Sequence, residues 1–170
     1  PIQKYDLLPR QLLYEGTIEE KQLFKPDLCD VKYLQAVHAP EYVANFMQLN
    51  LSPREQRITG FLHNKELVER ELTLVEGTRK CALYALEDGI SFNIAGGTHH
   101  AYSNKGEGFC MLNDQAVAAQ ALIDDQKVER VLIVDLDVHQ GQGTAEIFSD
   151  SKNVFTFSMH GKNNYPLRKE

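Results

Sequence analysis

A chain of 170 residues with 42% apolar and 25% charged side chains is long enough for one domain with a buried core. Its 18 basic and 24 acidic residues leave a formal net charge of −6, which argues against tight binding to nucleic acid phosphates and would tolerate a cationic substrate such as a lysine-rich tail or a polyamine. No apolar run approaches the roughly 18 residues that span a bilayer, and the opening Pro1-Ile2-Gln3-Lys4 lacks a basic segment followed by an apolar core, so neither membrane association nor a secretion signal is expected.

The first 89 residues read mainly as helix and loop. Cys29 is the first of three widely spaced cysteines, with Cys81 and Cys110, and none forms a CxxC pair. Free thiols packed near the core of a cytoplasmic protein are expected. After His38-Ala39-Pro40, residues Glu41 to Leu49 carry Tyr42, Val43, Phe46 and Leu49 along one helical side. Ser52-Pro53-Arg54-Glu55 has the form of a helix start, in which Ser caps, Pro opens and Glu reaches back. A longer helix is expected over Lys65 to Glu87, with Asp88-Gly89 as its stop.

From residue 90 to 170 the pattern alternates. Ile90 to Ala95 reads as a strand, followed by a turn at Gly96-Gly97. Asn113 can cap a helix running to about Asp125. Arg130 to Val138 contains the continuous run Val131-Leu132-Ile133-Val134, the pattern of a strand buried on both faces. Thr144 to Phe148 reads as a short helix and Val154 to Met159 as a further strand. Alternation of this kind implies an α/β fold, a parallel sheet flanked by helices with right-handed crossovers.

The chemistry-bearing residues cluster in this second part. In an extended chain Asp135, Asp137 and His139 share one face at the carboxyl end of a strand, where open α/β sheets place ligands. Carboxylate and imidazole together suit zinc or a similar divalent ion; the plainer reading is a strand end with solvated charges. Gly96-Gly97-Thr98-His99-His100 also follows an expected strand, and two adjacent histidines can reach one pocket only if the backbone bends, which the glycines permit. An imidazole there could take a proton from activated water, or the pair could be surface histidines. Gly106-Glu107-Gly108-Phe109-Cys110 is a glycine-rich loop without the third glycine of a dinucleotide fingerprint. His38, His63 and His160 read as capping or satisfied core histidines rather than ligands.

Taken together, AGGTHHA (95–101), GEGFCMLND (106–114), DLDVHQGQGT (135–144) and FSMHG (157–161) resemble the histone deacetylase and acetoin-utilisation family, over about residues 4 to 170. The wording looks more like its bacterial or class IV-like branch. The resemblance implies an arginase/deacetylase-like fold, incomplete in this chain, and a zinc-dependent hydrolase that removes acetyl groups from lysine side chains, acetylated polyamines or small amides. It implies zinc, or iron in its place, on Asp137 and His139. His99 would sit against Asp135, and His100 would act as general base and then general acid. A structural potassium ion would sit on oxygens of Asp135, Asp137, His139, Ser158 and Met159, and a second monovalent ion near carbonyls of Phe148, Ser151 and Val154. Gly108, Phe109 and Tyr165 would form the substrate tunnel, with the Gly108 carbonyl holding the substrate amide. The family's third zinc ligand, an aspartate, and its oxyanion-stabilising tyrosine lie downstream of residue 170. The 170 residues alone are therefore expected to hold zinc poorly and to turn over little substrate. Gln142 departs from the family, where many members carry an acid to pair with the second histidine. Two other readings compete: a non-catalytic acyl-lysine binder, and an arginase-type ureohydrolase. Gly141 argues against the second, because a two-metal site wants an acid two residues after His139.

Overall fold

Local chemistry sets most helix ends in the computed structural model, which describes residues 2–169; Pro1 and Glu170, the outermost residues of the expected domain, lie outside the described residues. The helices are α1 (Lys4–Tyr14), α2 (Val31–Gln35), α3 (Pro40–Met47), α4 (Pro53–Thr59), α5 (Lys65–Asp88), α6 (Asp114–Asp124) and α7 (Gln142–Ile147), and the strands are β1 (Val131–Asp135) and β2 (Val154–Ser158). Ser52 and Glu55 form the expected capping box on α4. Gly89 ends α5, and the Asn113 side chain accepts from Ala116 N at 3.0 Å to start α6.

The core has two parts that meet on α6. One contains Leu34 of α2, Val43 and Phe46 of α3, Leu72 and Val75 of α5, and Met111, Leu112 and Val117. The other contains Ala116 and Ala119 of α6, Ile133 of β1, Phe148, and Val154 of β2. Helix α6 is buried on both sides, with Ala116, Ala118, Ala119 and Ala121 letting it approach α5 and the sheet closely. Each fully buried Leu or Phe contributes about 1.5–3 kcal/mol, which makes this layer the main support of the site.

β1 and β2 pair in parallel, with Val131 opposite Val154 and Asp135 opposite Ser158. Two expectations are corrected here. Residues 90–95 form no strand: the Asn93 amide donates to Leu74 O (3.2 Å) and Thr78 Oγ1 (2.8 Å), which fastens the segment to α5 instead of to a sheet. β1 is buried on one face only. Ile133 and Asp135 point toward α6 and α7, whereas Leu132 and Val134 are 61% and 50% exposed, because no described residue covers that side.

Candidate active site

The segment carrying the tandem histidines is shaped by its neighbours. Gly96 and Gly97 take φ +98° and +75°, conformations that side chains disfavour, and this produces the bend that turns both imidazoles inward. The bend is pinned by the buried carboxylate of Asp114, which accepts from Thr98 N (2.8 Å), Thr98 Oγ1 (2.6 Å), Gly97 N (3.2 Å) and Thr78 Oγ1 (2.6 Å). Asn113 adds bonds from its amide to Ala101 O and Thr144 Oγ1, both 3.0 Å, tying the histidine loop to α7. From below, His38 bridges Tyr102 O and Asn113 N, each at 3.0 Å. Because Asn113 N–H can only donate, His38 Nε2 is the acceptor and Nδ1 carries the proton.

His99, His100 and Asp135 are all buried. His99 Nδ1 donates to Asp135 Oδ2 at 2.5 Å. Burial pushes the Asp135 carboxyl up, but the His99 bond and the Asp137 N–H outweigh it and leave it below its usual range. His100 Nδ1 donates to Gln142 Oε1 at 2.7 Å, so Nε2 keeps its lone pair. Burial lowers the His100 pKa; the Gln142 bond opposes this, but an amide supplies no charge to offset it fully. The His99 and His100 ring centroids are 4.1 Å apart, and His139 stands 5.9 Å from His100.

The Asp-x-Asp-x-His segment reaches the site by a different route from the one its alternation suggests. β1 stops at Asp135, and two successive side-chain turns follow: Asp137 N donates to Asp135 Oδ1 (2.9 Å), and His139 N donates to Asp137 Oδ1 (2.7 Å). Asp135 therefore turns inward to His99, while Asp137 and His139 lie together at the half-exposed edge, with Asp137 Oδ1 3.1 Å from His139 Nδ1. Two donors about 2.1 Å from one tetrahedral ion would be about 3.4 Å apart, so this pair suits a shared divalent cation in chemistry and spacing. It does not suit one in number: among the described residues no group of three His, Cys, Asp or Glu side chains could hold a metal.

The remaining expected residues divide between two surfaces. A Cβ on Gly108 would lie 2.8 Å from the His100 ring and 3.3 Å from Tyr165, so only glycine lets this loop pack there. Tyr165 stands edge-on to His100, centroids 5.0 Å apart, and 6.2 Å from His139. Phe109 is 70% exposed and meets Phe61 edge-on at 5.9 Å, with its backbone N–H donated to Thr59 O. Ser158 and Met159 flank Asp135: Met159 N donates to Asp135 O, and Ser158 Oγ lies 2.9 Å from His160 Nδ1. Phe148, Ser151 and Val154 form a separate turn, in which Ser151 N donates to Phe148 O and Val154 N to Ser151 Oγ. His63 stacks on Phe46 at 5.3 Å, away from these residues. Sequence reasoning missed Asp114 and Glu107. Asp114 directly follows a helix cap, a weak signal for a loop anchor, and Glu107 read only as loop filler.

Paired buried imidazoles thus meet the carboxyl end of β1 in an α/β fold, and comparison with known proteins places that fold in a family. The histone deacetylase domain matches residues 2–170, and the chain belongs to the histone deacetylase family. It is 47% identical to an uncharacterized protein of Picosynechococcus sp. over all of this chain and 57% of that protein. It is 30% identical to histone deacetylase 2 of Arabidopsis thaliana over 96% of this chain and 44% of that protein. The crystal structure of a histone deacetylase homolog from Aquifex aeolicus superposes with a TM-score of 0.76 at 26% identity, covering 91% of this chain and 44% of that one. The chain thus spans about half the length of these relatives.

Proposed function

We propose that the complete protein is a metal-dependent amide hydrolase that removes acetyl groups from acyl-lysine side chains, acetylated polyamines or similar small amides. The observation that carries this reading is the pair of buried imidazoles, each with Nδ1 bonded to a side-chain oxygen, converging beside Asp137 and His139. Asp137 and His139 would hold zinc, or iron in its place, with a third ligand from outside the described residues. A divalent ion there supplies Lewis acidity toward the acyl carbonyl and makes water a stronger acid. His100 Nε2, with no hydrogen-bond partner among the described residues, accepts the proton of the attacking water and returns it to the leaving amine. His99, oriented by Asp135, presents its Nε2 to the same space. Tyr165, Gly108 and Phe109 would line the passage for an apolar acyl-lysine stem. Monovalent ions are proposed at Asp135 and Ser158, which line a cavity of about 320 Å³, and at Phe148 and Ser151, which line one of about 340 Å³. The three buried free thiols support a reducing, cytoplasmic setting.

A non-catalytic acyl-lysine binder is the second reading, favoured by the two-donor count of the candidate metal centre. Assay of the complete protein on acetyl-lysine peptides and acetylated polyamines, with metal analysis, decides between them. His100→Ala is expected to abolish hydrolysis while leaving metal content near that of the parent, and Asp137→Ala to strip the metal. Undiminished turnover by His100→Ala would remove it from the role of base, and a parent protein that binds acyl-lysine without cleaving it would establish the binder.

A further inference from the structure

The carboxylate of Glu107 has no part in the proposed chemistry, yet it joins the two sides of the candidate pocket. Tyr165 lies in residues 161–169, a stretch with no helix or strand. Its ring nevertheless stands at 87° to His100, and a Cβ on Gly108 would lie 3.3 Å from it. The Tyr165 hydroxyl donates to Glu107 Oε1, on the loop that carries Gly108 and Phe109. Glu107 is itself fixed at both ends. Its backbone N–H donates to Cys110 O and its carbonyl accepts from Cys110 N, both at 2.9 Å, closing a tight turn. Its second carboxylate oxygen receives Lys105 Nζ at 2.8 Å.

We infer that Glu107 is a positioning residue that clamps Tyr165 onto His100 and thereby sets the shape of the passage through which an acyl-amine substrate enters. This deepens the hydrolase reading and rests on it for its kinetic consequence. Lys105 already neutralises the Glu107 charge, so the carboxylate acts as a hydrogen-bond acceptor toward the wall of the pocket and not as a reader of substrate charge. The phenol–carboxylate bond belongs to the stronger, charge-assisted kind. Cutting it releases a ring carried by an irregular segment. The loss falls chiefly on substrate binding, because the Glu107 carboxylate bonds Tyr165 and Lys105 and reaches His100 only through space.

The test uses the complete protein and an acetyl-lysine peptide. Glu107→Leu and Tyr165→Phe are each expected to raise KM by about fivefold to tenfold while kcat changes far less, in line with loss of one solvent-exposed hydrogen bond. The double variant should be no worse than either single one, since both remove the same bond. Glu107→Gln keeps an acceptor oxygen and should recover most of the binding. Unchanged KM in the single variants, additive losses in the double variant, or no recovery with Gln would each overturn the clamp. Hydrogen exchange of residues 161–169 reads the same bond without any turnover: it should quicken in Glu107→Leu and Tyr165→Phe and slow again in Glu107→Gln. If the protein cleaves no acyl-amine yet exchange behaves this way, the hydrolase reading fails and the clamp stands; unaltered exchange sinks the clamp alone.

Discussion

His38 shows how one buried side chain couples the helical part of the chain to the histidine loop. It is 2% exposed, and its two ring nitrogens serve one backbone acceptor, Tyr102 O, and one backbone donor, Asn113 N. Only the neutral imidazole fits this arrangement, because a second ring proton would face the Asn113 N–H. Burial accordingly brings the His38 pKa down from 6.5 to about 4, with the bond to Tyr102 O opposing it only in part. In the unfolded chain the ring titrates normally, so between these values the unfolded state binds more protons. Stability is fully present above pH 6.5 and falls as the pH drops toward 4, by up to about 3 kcal/mol from this group. Glu71 works in the opposite sense: it is fully buried, burial raises its pKa despite Arg70, and its contribution improves as acid is added. Urea unfolding from pH 7.5 to 4.5 should therefore show a steeper loss for the parent protein than for His38→Gln. Parallel slopes would mean that the imidazole is not held neutral.

At the scale of elements, α4 is small but supports the substrate loop, since Ile58 O and Thr59 O accept from Gly108 N and Phe109 N. Its start depends on Ser52, whose hydroxyl accepts from Glu55 N at 3.3 Å while Glu55 Oε2 accepts from Ser52 N at 2.7 Å. Ser52→Ala should cost about 1 kcal/mol and speed amide exchange at Gly108 and Phe109, measured by hydrogen exchange; a stability loss without faster exchange there would separate α4 from the loop. This cap, like that of Asn113, was legible in the sequence because partner and donor lie within three residues of each other. The histidine pair and its glycine bend were legible for the same reason. The strand expected over 90–95 failed because its alternation of Ile90, Phe92 and Ile94 was real but its pairing is decided elsewhere, by Asn93 reaching back to α5. The Asp135–His139 segment was expected to stay extended; two side-chain turns, competing locally with strand geometry, bent it and sent Asp135 and Asp137 to different partners. The Glu107–Tyr165 bond spans 58 positions, and no local pattern announces it.

At the scale of the whole molecule, the sheet has a covered face and a bare one. Helices α6 and α7 cover Ile133 and Asp135, while Leu132, Val134 and Leu136 from β1 and its extension, and Phe155, Phe157 and Met159 from β2 and its extension, remain 44–69% exposed side by side. A contiguous apolar surface of this kind is unusual on a stable monomer. The same continuous run, Val131-Leu132-Ile133-Val134, suits a strand with both faces covered. A polypeptide limited to these 170 residues should therefore self-associate and bind the dye ANS strongly. Leu132→Lys together with Phe155→Lys should reduce both effects, because neither side chain contributes to the buried core. Light scattering and ANS fluorescence test this directly: a monomer with weak dye binding would mean that the face is covered by a rearrangement within the chain. The same polypeptide should hold zinc weakly, since Asp137 and His139 are two donors where a catalytic site takes three. Equilibrium dialysis that found tight one-to-one binding, lost in Asp137→Ala, would require a third ligand from among these residues and would reassign the metal centre.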